Sequence, residues 1–180
     1  MKPYMASSGI RPMLAKIAIN KWWLVACDSF RLIRTEIPDW KDYLDTPVYP
    51  DVDTFMQTDV EWVSITKFMR TFCVRLGIFW TNTAIRDGNM IFAPGKVIIR
   101  PNFVFDNSDS AALSIDIEHP FQHTSVNIWY FLQMIQPFKK EIDKGLCYIE
   151  YRQKNPLTIV QFRIISNLWS YEIGIMPRKI

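Results

Sequence analysis

The stretch Thr58–Trp80, TDVEWVSITKFMRTFCVRLGIFW, decides the fold because it can be written in two periods. Thr58 and Glu61 have the spacing of a capping box, and Trp62, Ile65, Met69, Phe72 and Leu76 recur at helical spacing. Against a helix, Phe72, Val74, Leu76, Ile78 and Trp80 alternate without a miss, and β-branched and aromatic residues dominate. The balance favours two strands, with the helix as the open alternative.

Downstream of this stretch the pattern is extended. Asp87-Gly88 and Pro94-Gly95 are turn dipeptides around a short Met90–Phe92 run, and Lys96–Ile99 and Asn102–Phe105 are extended pieces divided by Pro101. Leu113, Ile115 and Ile117 point one way and Ser114, Asp116 and Glu118 the other, a strand stopped by Pro120. Thr124–Ile135 reads as a strand or a short helix, and Phe138–Lys144 as a polar connection. The last third alternates along Leu146–Tyr151, breaks at Asn155-Pro156, and resumes through Thr158–Ile165 and Tyr171–Met176. This is a ribbon of three strands with Tyr171, Ile173 and Ile175 on its core face.

Upstream, the apolar segment from Leu14 reads as a strand, Asp28-Ser29 as a turn, and Phe30–Ile37 as a second strand ending at Pro38. Asp39 caps a short helix in DWKDYLDTP, inside a proline-rich loop. The sum is a flexible N-terminal arm, 1–11, and a single domain, 12–180. Eight principal strands joined by long loops predict a mainly β chain, an eight-stranded antiparallel jelly-roll β-sandwich with one or two short helices in the loops.

Composition narrows the function classes. At 49% hydrophobic and 22% charged the chain is globular rather than disordered, and a net charge of +3 without like-charge runs names no partner by itself. Cys27, Cys73 and Cys147 lie in apolar segments with no CxxC pair, which reads as reduced core cysteines. No apolar run reaches the roughly 18 residues of a membrane span. His119 and His123 stand beside Asp116 and Glu118, but Pro120 bends the chain between them, so polar residues at a strand end are favoured over a metal site. No glycine-rich phosphate loop and no exposed nucleophile with a base is present in the sequence, and the expectation is a non-enzyme without catalytic, cofactor or metal residues.

The order of these pieces resembles the capsid-protein jelly roll of small non-enveloped positive-strand RNA viruses, the picorna-like group. The resemblance is carried by KWWLVACDSFRLIRTEIP, by VEWVSITKFMRTFCVRLGIFW, by KVIIRPNFVFDNSDSAALSIDIEHPF and by the finish GLCYIEYRQKNPLTIVQFRIISNLWSYEIGIMP. It covers about residues 14–177. It implies a structural subunit of an icosahedral shell around an RNA genome, in the virion and, during assembly, the host cytoplasm. Its partners would be other capsid subunits, genomic RNA and a host receptor, with no membrane span. Lys16, Lys21, Arg31, Arg34, Arg178 and Lys179 would then form a basic RNA-facing inner surface. Some of the many tryptophans would sit in subunit contacts. The alternative is a soluble β-sandwich binding module or a nucleic-acid-binding viral accessory protein with a defined groove.

Overall fold

A computed structural model of the chain describes residues 17–20, 23–36, 52–76, 88–100, 113–118 and 121–178, with residues 20, 53, 72–76 and 113 described through their backbone. The elements in chain order are β1 (Ala18–Asn20), β2 (Trp23–Cys27), β3 (Arg31–Glu36), α1 (Val52–Met56), β4 (Val63–Ser64) and α2 (Thr66–Leu76). They continue with β5 (Asn89–Ala93), β6 (Lys96–Arg100), β7 (Leu113–Asp116), β8 (Thr124–Asn127) and α3 (Ile128–Ile135). A 3-10 turn (Gln136–Phe138), α4 (Lys139–Lys144), β9 (Cys147–Arg152), β10 (Val160–Ser166) and β11 (Ser170–Ile175) complete them.

The strands form two antiparallel sheets, one in the order β1-β2-β3-β11-β10-β9-β4 and one in the order β7-β6-β5-β8. The chain is mainly β with a few short helices, as its alternation requires. The terminal ribbon is present as β9, β10 and β11, with Phe162 opposite Tyr151 and Ile173. Ile173 and Ile175 are buried on the expected face. The Asp28-Ser29 turn is also present: Ser29 takes a φ of 81°, and the Asp28 carboxylate accepts from the Phe30 and Arg31 amides, both at 3.0 Å.

The eight-stranded jelly roll is corrected by the strand order. β4–α2–β5–β6–β7 and β8–α3–α4–β9–β10–β11 are two copies of one plan: a strand, helix, then a three-stranded meander. Each plan lends its first strand to the other's meander, since β4 pairs with β9 and β8 pairs with β5. β1, β2 and β3 are a further meander added at the β11 edge.

Thr58–Trp80 is corrected with it. The strand β4 covers only Val63–Ser64, and Thr66–Leu76 is the helix α2. The ladder stops where the Ile65 amide donates to the Ile149 carbonyl at 2.8 Å and the Thr66 hydroxyl takes over, accepting from the Ile149 amide at 3.0 Å. From there Ile65, Phe68 and Met69 are buried while Lys67, Arg70 and Thr71 are exposed, the 3.6-residue period of a helix packed on one side. Residues 77–80 lie outside the described residues.

The polar connection Phe138–Lys144 is corrected likewise. Asn127 caps α3, accepting from the Trp129 amide at 2.9 Å. Phe131, Leu132, Met134 and Ile135 are buried along α3, then Pro137 starts the 3-10 turn and α4 runs to Gly145. Gly145 closes α4 with a φ of +71°, which a side chain would resist. Phe92 of β5, Tyr151 of β9, Phe162 of β10 and Phe131 of α3 join the sheets and helices into one core: Phe92–Tyr151 ring centroids are 5.4 Å apart and Phe131–Phe162 centroids 5.3 Å. The arm 1–11, the Asp39 helix, Asn102–Phe105 and the loop Asp106–Ala111 lie outside the described residues.

Candidate nucleic-acid interface

The duplicated plan puts the helices of its two copies together. α2 packs against α4, and the Arg70 guanidinium lies so close over Gly145 that a Cβ there would overlap it. The apolar sides of both helices, Phe68, Met69 and Ile142, face the core. What remains on the outside is basic in excess. Lys67 and Arg70 of α2 and Lys140 and Lys144 of α4 are exposed, and Asp143 is held by Lys139 at 2.7 Å. Long, solvated lysines and arginines on rigid helices suit phosphate contact, which needs charge within reach of a backbone and no base-specific geometry.

The basic residues expected from the sequence are distributed differently. Arg31 and Arg34 are buried. Arg31 is bound to Asp28 at 2.6 Å and to Gln133 of α3, and its guanidinium sits 4.7 Å above the Tyr130 ring. Arg34 is bound to Glu172 at 2.6 Å and lies 4.3 Å over Trp23. Neither offers its charge to a phosphate in solvent. Arg178 is exposed at the C-terminal end, where its side chain donates to Asn89 and its amide to the Ser125 carbonyl. Lys16, Lys21 and Lys179 lie outside the described residues. The helix-face residues were missed because their segments were read as a strand and as a connection. The signal was there: Lys67 and Arg70 are three residues apart, and Lys140 and Lys144 four.

Arg34 belongs to a row that crosses the long sheet. Its register places Arg34 beside Glu172, Glu172 beside Arg163, and Arg163 beside Glu150, so charges alternate strand by strand. Trp62 lies between two of the arginines, with the guanidinium of Arg152 at 4.0 Å and that of Arg163 at 4.6 Å from its ring. Trp23, Trp62, Trp129 and Trp169 are all half-buried. Trp23 and Trp62 are therefore cation platforms and Trp129 and Trp169 margins of the core, while Trp22, Trp40 and Trp80 lie outside the described residues.

A shallow cleft of about 270 Å³ lies near the C-terminal end, between Phe55, Leu157, Ile159 and Met176 with Lys154 at its rim. Leu157 there is 81% exposed, a large apolar side chain left open to solvent among the described residues. Of the cysteines whose side chains are described, Cys147 is buried. Burial, and then the Glu141 carboxylate, push the Cys147 thiol up, with Arg70 acting the other way. Cys27 is half-buried, the Cys73 side chain and His119 lie outside the described residues, and His123 is exposed.

Neither a family model nor a curated protein matches the chain by sequence. Solved structures do match its fold. The DNA polymerase III subunit beta of Pseudomonas aeruginosa superposes with a TM-score of 0.67 at 14% identity, over 99% of this chain and 62% of that one. The fold is sliding-clamp-like. The Helicobacter pylori beta clamp, solved with 3,4-difluorobenzamide, gives 0.66 at 13% identity over 99% and 62%. The DNA polymerase sliding clamp of Caulobacter crescentus gives 0.64 at 12% over 99% and 61%. The chain thus spans about three fifths of the length of these clamps. This overturns the capsid resemblance, and the viral shell, the capsid and genomic-RNA partners, the host receptor and the virion location are withdrawn with it. The viral-accessory or groove-module alternative gains no support either. Alternating strands and their prolines are common to many antiparallel folds; the strand order and the helices α2 and α4 are what depart from a jelly roll here.

Proposed function

We propose that the chain is a clamp subunit, a non-catalytic scaffold that closes around duplex DNA and holds a DNA-acting partner on it. The observation that carries this reading is the pair α2 and α4, set side by side by the duplicated plan, with Lys67, Arg70, Lys140 and Lys144 exposed. The clamp-like fold supports it. Phosphate contact through such residues is independent of base sequence and falls steeply with salt, about one counterion per phosphate neutralised. That is the chemistry a sliding contact needs: enough attraction to stay centred and no preferred register. The apolar cleft around Leu157 and Met176, on the C-terminal side of the fold, would take an apolar side chain of the tethered partner.

The test is duplex binding by fluorescence anisotropy at low salt. The combined variant Lys67→Glu, Arg70→Glu, Lys140→Glu, Lys144→Glu is expected to lose binding by about 100-fold or more, with the salt slope flattened. Unchanged binding by a folded quadruple variant contradicts the helix face as the interface.

A further inference from the structure

The four-stranded sheet turns one face to the core through Met90, Phe92, Val97, Ile99 and Val126. Its opposite face, at the end where α3 begins, gathers hydrogen-bond donors. Asn89 of β5 stands opposite Asn127 of β8 on one side and Arg100 of β6 on the other, so the three side chains share a row. Arg178 joins them from beyond β8. It is bridged to Ser125, whose carbonyl accepts from its amide at 2.7 Å, and its guanidinium reaches across β8 to donate to Asn89 Oδ1 at 3.2 Å.

The oxygens of both asparagines are committed. Asn127 Oδ1 accepts from the Trp129 amide at 2.9 Å as the cap of α3, and Asn89 Oδ1 accepts from Arg178. Arginine and the backbone amide only donate, so each asparagine is oriented with Nδ2 turned away from that partner. Neither Nδ2 has an acceptor among the described residues, although Asn127 is only 8% exposed. A buried donor without an acceptor costs stability, and its place is where a ligand atom belongs. Arg100 is exposed and faces Asn89 rather than an acid. Asp116, the carboxylate of these four strands, stands opposite Lys96 at the far end of β6. The N-terminus of α3 adds its partial positive charge beside Asn127.

We propose that Arg178, Arg100, Asn89 and Asn127 form a binding site for a phosphate dianion. Two guanidinium charges and two amide donors on neighbouring strands match a ligand with several acceptor oxygens and about two negative charges, which phosphate carries near neutral pH and a carboxylate or a phosphodiester does not. The site is on the sheet face away from the core, whereas Phe68, Met69 and Ile142 turn α2 and α4 towards the core, so the proposal does not rest on the clamp reading.

Titration of inorganic phosphate into the full chain at constant ionic strength, followed by the side-chain amide resonances of Asn89 and Asn127, tests this. The unaltered chain is expected to show saturable shifts of both with phosphate and none with chloride. Asn127→Asp keeps an oxygen to cap Trp129 but sets a carboxylate where the donor was. It is expected to stay folded by circular dichroism and to lose phosphate binding, read at Asn89, by about 10-fold or more. Arg178→Gln is expected to weaken binding by about 10-fold as well. Dimethyl phosphate, a diester with a single charge, is expected to bind at least about 10-fold more weakly than inorganic phosphate. No saturable shift in the unaltered chain, unaltered phosphate binding by folded Asn127→Asp or Arg178→Gln, or equal binding of the diester each overturn the proposal.

Discussion

The β11 edge and the β7 edge occupy the same position in the two copies of the plan, yet among the described residues only β11 is covered by a further strand. At β11 a whole strand is paired, the Arg34–Glu172 ion pair is buried at 2.6 Å, and an arginine is enclosed between Asp28, Gln133 and Tyr130. At β7 the residues that would meet a neighbour are Ser114, Asp116 and Glu118, all exposed. Buried ion pairs hold well only when both partners and their hydrogen bonds are in place, whereas exposed charges contribute little until something covers them. The difference separates an edge whose charges are enclosed within the fold from one whose charges are exposed.

The comparison breaks most visibly through Arg34. Arg34→Met removes one cationic partner of half-buried Glu172 and the stacking on Trp23, and is expected to cost about 1.5–3 kcal/mol of unfolding free energy in urea titration. The corresponding change at the other edge, Asp116→Asn, is expected to alter stability by no more than about 0.5 kcal/mol. Equal losses at the two edges would mean that β7 is as integrated into the fold as β11.

A smaller effect separates the core from both edges. Burial pushes the Tyr151 phenol up from its ordinary 10.0, and burial with Glu141 pushes the Cys147 thiol up from 9.0. Both groups are neutral when protonated and hold the proton longer when folded. The stability tied to them is full below these ordinary values and is lost as the pH rises through them toward the folded ones, by at most about 1.4 kcal/mol per pH unit for each group. Thermal unfolding followed from about pH 8 to 11 should show a falling midpoint, with a shallower slope in Tyr151→Phe. A midpoint that is flat over this range would contradict burial of both groups.

Much of the sheet structure was legible in the residues. Alternation located β9, β10 and β11 and the core face of Ile173 and Ile175, while Asp28-Ser29 and Pro94-Gly95 marked the turns between β2 and β3 and between β5 and β6. The helices were not, for a physical reason. Phe72 and Leu76 satisfy both a period of 2 and a period near 3.6, and nothing local decides between them; the Thr66–Ile149 contact, 83 residues apart in sequence, ends the ladder and starts α2. In α4 only Ile142 is buried among its exposed and half-exposed charges, so it carries almost no apolar signal of its own. The candidate interface lies on these two helices, and its reading therefore failed with theirs. Arg31 and Arg34 went the other way: as single arginines in alternating strands they read as solvated, and only the register that sets Arg34 beside Glu172 reveals that they are enclosed.

The most direct measurement is retention of the protein on circular against linear duplex DNA. Subunits are mixed with a closed circular plasmid, brought to a concentration at which they assemble, and freed of weakly held protein with salt and competitor. The plasmid is then cut once. A subunit that encircles DNA and is held by non-specific phosphate contacts from Lys67, Arg70, Lys140 and Lys144 stays on the circle and is released by the single cut. Equal retention before and after cutting, or none in either case, contradicts the clamp.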